Sequence, residues 1–231
     1  MPPLKENALV LYAKYPIPGK VKTRLIQDPS GLKPEEASDL YLAILKDLLQ
    51  TIHQSDSSYD LYLCILSHVD EFRGSFGTNW SFLPDNGGGD LGLSLFRTFQ
   101  NLKRSGYEKL VIMGSDLPYI TIDQVEDSFA HLDACSFVLG PDQRGGCYLM
   151  GARDAYPVFQ DIPWSEGKDF QILKNRLSSR AISTIILPEV EDLDTLEDFY
   201  LLRKRYQADQ ELLKKNKPQL SQFLELFHVK Q

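Results

Sequence analysis

Residues 109–118 constrain this chain most. Leu110, Val111, Ile112 and Met113 form a continuous apolar run with two β-branched members. That is the pattern of a short strand buried on both faces, as parallel sheets require. The run stops at Gly114, presents Ser115 and Asp116, and meets Pro118, which prevents its continuation as strand. Open α/β sheets bind ligands outside the carboxyl ends of their strands. Asp116 is therefore a candidate ligand for a divalent metal held against a nucleotide diphosphate. The alternative is structural: a cap on the helix expected near Thr121, or a brace for the turn.

A second apolar run, residues 8–13, reads as the first strand. It opens into Lys14-Tyr15-Pro16-Ile17-Pro18-Gly19-Lys20-Val21-Lys22-Thr23-Arg24-Leu25. Two prolines and a glycine stiffen this loop while Lys14, Lys20, Lys22 and Arg24 crowd it. Such a local positive field attracts an anion, and Arg24 can grip phosphate oxygens bidentately; a solvated basic turn is the plain alternative. A P-loop is excluded, because Gly19-Lys20 lacks both the earlier glycine and a following Ser or Thr.

Alternating elements continue along the chain. Residues 34–53 predict a long helix, with Pro34 in the first turn and Leu40, Ile44, Leu45, Leu48, Leu49 and Ile52 on one apolar stripe. Strands are expected at 59–67 and 80–83. A glycine-rich turn, Gly87, Gly88, Gly89, Asp90, Gly92, then opens a helix at 91–104. Gly87, Gly89 and Gly92 formally satisfy a dinucleotide pattern, but Pro84 and Asp85 separate it from the strand it should follow. These glycines still let a ligand approach the backbone, and Asp90 serves equally as N-cap or ligand contact.

A helix at 121–132 and strands at 136–141 and 147–151 follow, with Asp142, Arg144, Gly145 and Gly146 placed across the mouth of the sheet. Trp164 can stack on a base or sugar, or plug the core. A helix at 168–177 and a strand at 183–187 precede Asp192 and Asp194. Asp194 and Glu197 have capping-box spacing. Residues 201–231 are charged and helical, and Leu220, Phe223, Leu224 and Phe227 form a stripe that docks on the body or on a second subunit. The pattern implies one α/β domain over 1–231, with a core at about 8–205 and a C-terminal helical extension at about 206–231.

Composition narrows the function classes. A formal net charge of −7 argues against general nucleic-acid binding, which needs clustered basic residues. Cys64, Cys135 and Cys147 form no close pair, which suits a reducing cytoplasm. The four scattered histidines offer no zinc spacing. No apolar run reaches the length of a membrane span, and Asn79-Trp80-Ser81 reads as a chance sequon.

Taken in order, Ala13-Lys14 with the basic loop, Gly89-Asp90-Leu91-Gly92, Gly114-Ser115-Asp116-Leu117-Pro118, Leu139-Gly140-Pro141, Gly145-Gly146-Cys147-Tyr148-Leu149, Ile162-Pro163-Trp164-Ser165 and Asp192-Leu193-Asp194-Thr195 resemble the DUF2064 family. This family of glycosyltransferase-like proteins has the GT-A nucleotide-diphosphosugar transferase fold and is related to phospholactate guanylyltransferase. The resemblance implies a three-layer α/β/α sandwich with a mostly parallel mixed sheet. It further implies a transferase using a nucleotide sugar or nucleoside triphosphate, Mg²⁺ or Mn²⁺, and a small-molecule acceptor. By position, Ala13, Lys14, Gly19, Lys22, Arg24, Gly88, Gly89, Asp90, Gly92 and Ser115 would bind the nucleotide. Asp116, Lys22 and Arg24 would carry the chemistry, with Asp116 and either Asp192 or Asp194 on the metal. Asp142, Arg144, Gly145, Gly146 and Trp164 would line the acceptor or sugar pocket.

The chain departs from the family pattern at three places. Arg144 stands where an acidic residue is usual, and a guanidinium cannot ligate a cation. Cys147 replaces an aromatic, and Leu93-Ser94 replaces an acidic–basic pair. Glycosyl transfer and nucleotidyl transfer remain open, as does a non-catalytic nucleotide-binding protein in which Arg144 marks a degraded site. A dinucleotide oxidoreductase is the weakest alternative, and a homodimer is compatible with the apolar stripe.

Overall fold

β1 (Asn7–Ala13) is buried on both faces from Ala8 onward, and the sheet is built outward from it. In chain order there follow α1 (Pro34–Ile52), β2 (Tyr59–Ile65), α2 (Val69–Phe76), β3 (Ser81–Leu83), α3 (Leu91–Arg104) and β4 (Lys109–Met113). Then come α4 (Ile122–His131), β5 (Phe137–Pro141), β6 (Cys147–Ala152), α5 (Asp169–Ser179) and β7 (Thr184–Ile186). The helices α6 (Leu196–Ala208), α7 (Gln210–Asn216) and α8 (Pro218–Val229) end the described chain. The computed structural model describes residues 5–53, 57–77, 80–164 and 166–229, without the side chains of 228 and 229. Asn79 of the sequon and Ser165 lie outside these residues.

Among the described residues the strands form one sheet in the order β3-β2-β1-β4-β6-β5-β7. All run parallel except β6, which is antiparallel to both of its neighbours. The sheet grows from β1 to β2 and β3 on one side, and β4 returns to pair on the other. That reversal makes the carboxyl ends of β1 and β4 the topological switch point, where doubly wound sheets bind ligands.

Strand alternation sorts the core into two layers. Leu9, Leu11 and Ala13 face α1, α2 and α4, meeting Leu45, Leu48, Phe72, Val125 and Phe129. Ala8, Val10 and Tyr12 face α3 and α5, meeting Leu95, Phe99, Leu173 and Leu177. This is the expected three-layer α/β/α sandwich.

A third core lies behind α1. Ala37, Leu40 and Ile44 pack against Phe199, Leu202 and Tyr206 of α6 and against Leu220, Leu224 and Phe227 of α8. The C-terminal stripe therefore docks on the chain's own body. A buried polar contact fixes the docking: Asp47 on α1 accepts from the backbone amides of Gln219 (3.0 Å) and Leu220 (2.9 Å) at the start of α8. Lys217 donates to Thr51 Oγ1 (3.2 Å) and to the Ile120 carbonyl (3.1 Å).

The structure differs from the sequence pattern in two places. α2 falls between the expected strands at 59–67 and 80–83, because only Phe72 is buried along its length and the apolar signal is short. The box at α6 is made by Thr195 and Asp198, not Asp194 and Glu197: Thr195 Oγ1 accepts from the Asp198 amide, and the Asp198 carboxylate accepts from the Thr195 amide at 2.7 Å.

Asp47→Ala strips two helix-terminal amides of their acceptor and leaves the Lys217 ammonium buried without its nearby charge. Losses of this kind cost about 1–3 kcal/mol, read as a lower midpoint in urea. Burial also holds the Asp47 carboxyl above its usual range, against the pull of the Leu220 and Gln219 amides and Lys217. The folded chain then binds that proton more tightly than the unfolded chain. This group's contribution to stability is present below the unfolded value and is lost as pH rises through the folded one. Asp47→Asn should abolish that pH-dependent difference just above the ordinary carboxylate range, which urea titrations at stepped pH will show.

Candidate active site

The loop leaving β1 closes with a hydrogen bond from the Lys20 amide to the Ile17 carbonyl (3.0 Å). Lys22 then adopts a left-handed conformation, φ 50 and ψ 40, ahead of a short 3₁₀ turn at Thr23–Leu25. Few residues other than glycine sit there without a compensating contact. Here the compensation is visible: the Lys22 side chain turns inward and is only 2% exposed. Its ammonium pairs with the Asp116 carboxylate and donates to the Leu193 carbonyl. The Leu193 amide in turn donates to the Asp116 carbonyl at 3.2 Å, laying residues 192–194 over the end of β4.

Tyr41 of α1 supports the same junction. Its hydroxyl accepts from the Lys14 amide (3.1 Å) and shares a hydrogen bond with Ser115 Oγ (2.8 Å). The Lys22 ammonium lies 5.9 Å from its ring centroid. The Tyr41 hydroxyl is held protonated by burial and by the nearby Asp116 charge. Its position on the buried helical stripe reads as core from sequence. The only hint of a second role was a hydroxyl where leucine would have packed.

Two more cations hold the late acidic turn. Arg24 pairs with Asp194. Arg144 reaches from the β5–β6 hairpin to Asp192 and Asp198, both at 2.5 Å, and to Thr195 Oγ1 at 3.3 Å. The hairpin is set by Asp142, whose carboxylate accepts from the Arg144 amide (2.8 Å) and the Gly146 amide (2.9 Å). Burial raises the Asp192 carboxyl even though Arg144 opposes it. For Asp198 burial also pushes up, but the Thr195 and Asp194 amides and Arg144 outweigh it, and the carboxyl lies below its usual range.

These residues enclose a cleft of about 490 Å³ at the β1–β4 switch point. Of the expected residues, Ala13, Lys14, Lys22, Arg24, Ser115, Asp116, Asp142, Arg144, Gly146, Trp164, Asp192 and Asp194 line it, so Arg24 and Asp116 share one opening. Tyr12, Tyr41 and Asp169 line it too, and sequence reasoning missed them. Gly19, Gly88, Gly89, Asp90, Gly92 and Gly145 do not line it. Asp90 caps α3, accepting from the Leu93 amide at 3.0 Å. Asp116 does not cap α4, which Thr121 and Gln124 cap; it braces the turn, through Lys22 on its carboxylate and the Leu193 amide on its carbonyl.

Several lining groups lose roles that sequence allowed. Burial, with Asp169 and Asp142 nearby, pushes the Cys147 thiol far up, so it supplies no thiolate. The expected metal ligands are engaged: Asp116 by Lys22, Asp194 by Arg24, and Asp192 by Arg144. Among the described residues no three His, Cys, Asp or Glu side chains are arranged to hold one metal ion. As disposed, the donor set does not fit a protein-held metal centre. No helix among the described residues is long and apolar enough to cross a membrane.

The two glycine readings separate by experiment. A methyl on Gly92 would lie 2.1 Å from the Phe159 carbonyl oxygen, whereas one on Gly88, at φ +62, would meet open space. Gly92→Ala should cost roughly 2–3 kcal/mol as an overpacked contact. Gly88→Ala should cost about 1 kcal/mol through backbone strain alone. Denaturant midpoints for both variants check the order.

Residues 49–166 match the family described as an uncharacterized protein conserved in bacteria (DUF2064). No curated protein matches the chain. A nucleotide-diphospho-sugar transferase candidate from Desulfovibrio desulfuricans G20 is 28% identical, with a TM-score of 0.81 over 95% of this chain and 99% of that one. A cytidylyltransferase from Leptospira borgpetersenii serovar Hardjo-bovis (strain JB197) is 11% identical, with a TM-score of 0.57 over 94% of this chain and 97% of that one. The 4-diphosphocytidyl-2C-methyl-D-erythritol synthase of Anaerococcus prevotii DSM 20548 is also 11% identical, with a TM-score of 0.54 over 88% and 96%. The last two share the fold. Matched over half its length and carrying the sheet of the nucleotide-diphospho-sugar transferases, the chain belongs to the DUF2064 family.

Proposed function

We propose that the chain is a transferase that binds a nucleotide-activated donor in the β1–β4 cleft, with a nucleotide sugar as the donor. The observation that carries this reading is the shared opening of Arg24 and Asp116 at the switch point of the sheet. The similarity to the Desulfovibrio desulfuricans protein, named for nucleotide-diphospho-sugar transfer, supports the same donor class.

The roles follow from exposure. Arg24 is 45% exposed in its pair with Asp194, so its planar fork can be redirected to phosphate oxygens. Lys14 and Lys20 are exposed along the same loop and add to the local positive field. Lys22 is a positioning residue: its buried ammonium sets the carboxylate of Asp116 and the turn at Leu193. The acceptor enters from the side of Asp142, Arg144, Gly146 and Trp164, where the indole offers a face for a sugar.

In glycosyl transfer the bond between sugar C1 and the β-phosphate oxygen breaks. C1 then bonds to the acceptor oxygen, and the nucleoside diphosphate leaves with the charge that Arg24 meets. A second reading, nucleotidyl transfer with pyrophosphate leaving from the α-phosphorus, is favoured by the density of basic residues in the loop after β1 and uses the same groups.

Calorimetry with a panel of nucleotide sugars and nucleoside triphosphates tests the donor class, and product analysis separates the two transfers. Arg24→Gln should weaken the bound donor by roughly ten- to a hundredfold, as loss of a charge-assisted contact implies. The melting point should stay nearly unchanged, because the Arg24–Asp194 pair is exposed. A chain that binds no nucleotide on the panel sinks the proposal.

A further inference from the structure

The late acidic turn gathers three carboxylates, Asp192, Asp194 and Asp198, two of them largely withdrawn from water. The Asp192 side chain is 17% exposed and that of Asp198 is 8%. Carboxylates crowded in this way need a cation between them, because like charges in a poorly solvated site cannot all stay ionised unaided. A divalent ion is one way to supply it. Here a side chain does so.

We propose that Arg144 is the resident cation of this site, seated between Asp192 and Asp198 so that the turn takes no divalent ion and the donor binds without one. The inference rests on the donor reading above for the identity of the ligand. It is an alternative to the expectation of Mg²⁺ or Mn²⁺ on Asp116 with Asp192 or Asp194.

Three features place the guanidinium as a built part of the site. The hairpin that carries it is fixed at both ends, by the Asp142 carboxylate on the Arg144 and Gly146 amides and by the Phe170 amide on the Gly145 carbonyl (3.1 Å). Its two terminal nitrogens go to different carboxylates, a fork geometry that lysine cannot reproduce. Asp198 is further committed by its second oxygen, which accepts from the Asp194 amide (2.9 Å) and the Thr195 amide (2.7 Å). A metal entering here would have to displace the guanidinium from both carboxylates at once. On the other side of the cleft the Asp116 carboxylate is matched by Lys22, so the pattern is the same at each expected ligand.

The test uses the full chain and metal alone. Melting of wild type with Mg²⁺ or Mn²⁺ should match melting in EDTA. The affinity for UDP and GDP, measured by calorimetry, should be the same in Mg²⁺ and in EDTA. Arg144→Asp adds a carboxylate in place of the cation, so this variant should melt lower in EDTA and recover with Mn²⁺ alone.

Stabilisation of wild type by metal alone, or loss of diphosphate binding in EDTA, overturns the proposal. So does an Arg144→Asp protein that folds yet ignores Mn²⁺. If that variant does not fold, the wild-type arms decide by themselves. A flat diphosphate titration under every condition counts against the donor reading instead, and the metal arm still reports on Arg144.

Discussion

The Lys22 ammonium is the point at which three distant segments meet. It is carried by the loop after β1, pairs with the carboxylate that ends the β4 turn, and donates to a carbonyl of the turn before α6. A buried ion pair adds little net stability over a well-packed apolar substitute, yet breaking one leaves a desolvated charge and costs far more. Lys22 therefore enforces an arrangement more than it stabilises the fold. The left-handed backbone at Lys22 is consistent with this: strain is tolerated where the surroundings over-determine a conformation.

The scaffold behind that junction is α1, which packs on both sides. One face meets the sheet through Leu45 and Leu48, and the other meets α6 and α8 through Leu40 and Ile44. Tyr41, on the same helix, holds the Lys14 amide and Ser115. The C-terminal helices thus bear on the back of the element whose front supports the site. Asp47 and Lys217 make that docking specific, because buried polar groups tolerate few alternative partners.

How far the sequence could be read depended on the range of the interaction. The strands at 8–13 and 110–113 were legible because residues buried on both faces leave an uninterrupted apolar run. Asp116 and the basic loop were legible because strand ends are where such sheets bind. The partners of Arg144 were not, since Asp192 and Asp198 lie 48 and 54 residues away and no local pattern links them. Gly92 misled for a related reason: glycine permits close approach, but sequence does not say of what. The approaching group is the Phe159 carbonyl of the chain itself. At α6 the capping box was placed one residue early, because Asp194 and Glu197 have the same spacing as the Thr195 and Asp198 that form it.

Charge balance at the cleft decides how an anion can be received. Five basic and five acidic side chains line it, so no excess positive charge waits for a phosphate. Lys14 and Lys20 meet an incoming anion from the exposed loop, and the three cations paired with carboxylates differ in how readily they can be taken. Lys22 is buried, and Arg144 is shared between two carboxylates, so removing either leaves a poorly solvated charge. Arg24 pairs with Asp194 at the surface, where an ion pair is worth about 0–1 kcal/mol, while a bidentate phosphate contact is stronger. Asp194, once released, keeps 27% exposure and can be hydrated. In the proposed function the exchange therefore runs at Arg24, and the two inner cations hold the walls while it does.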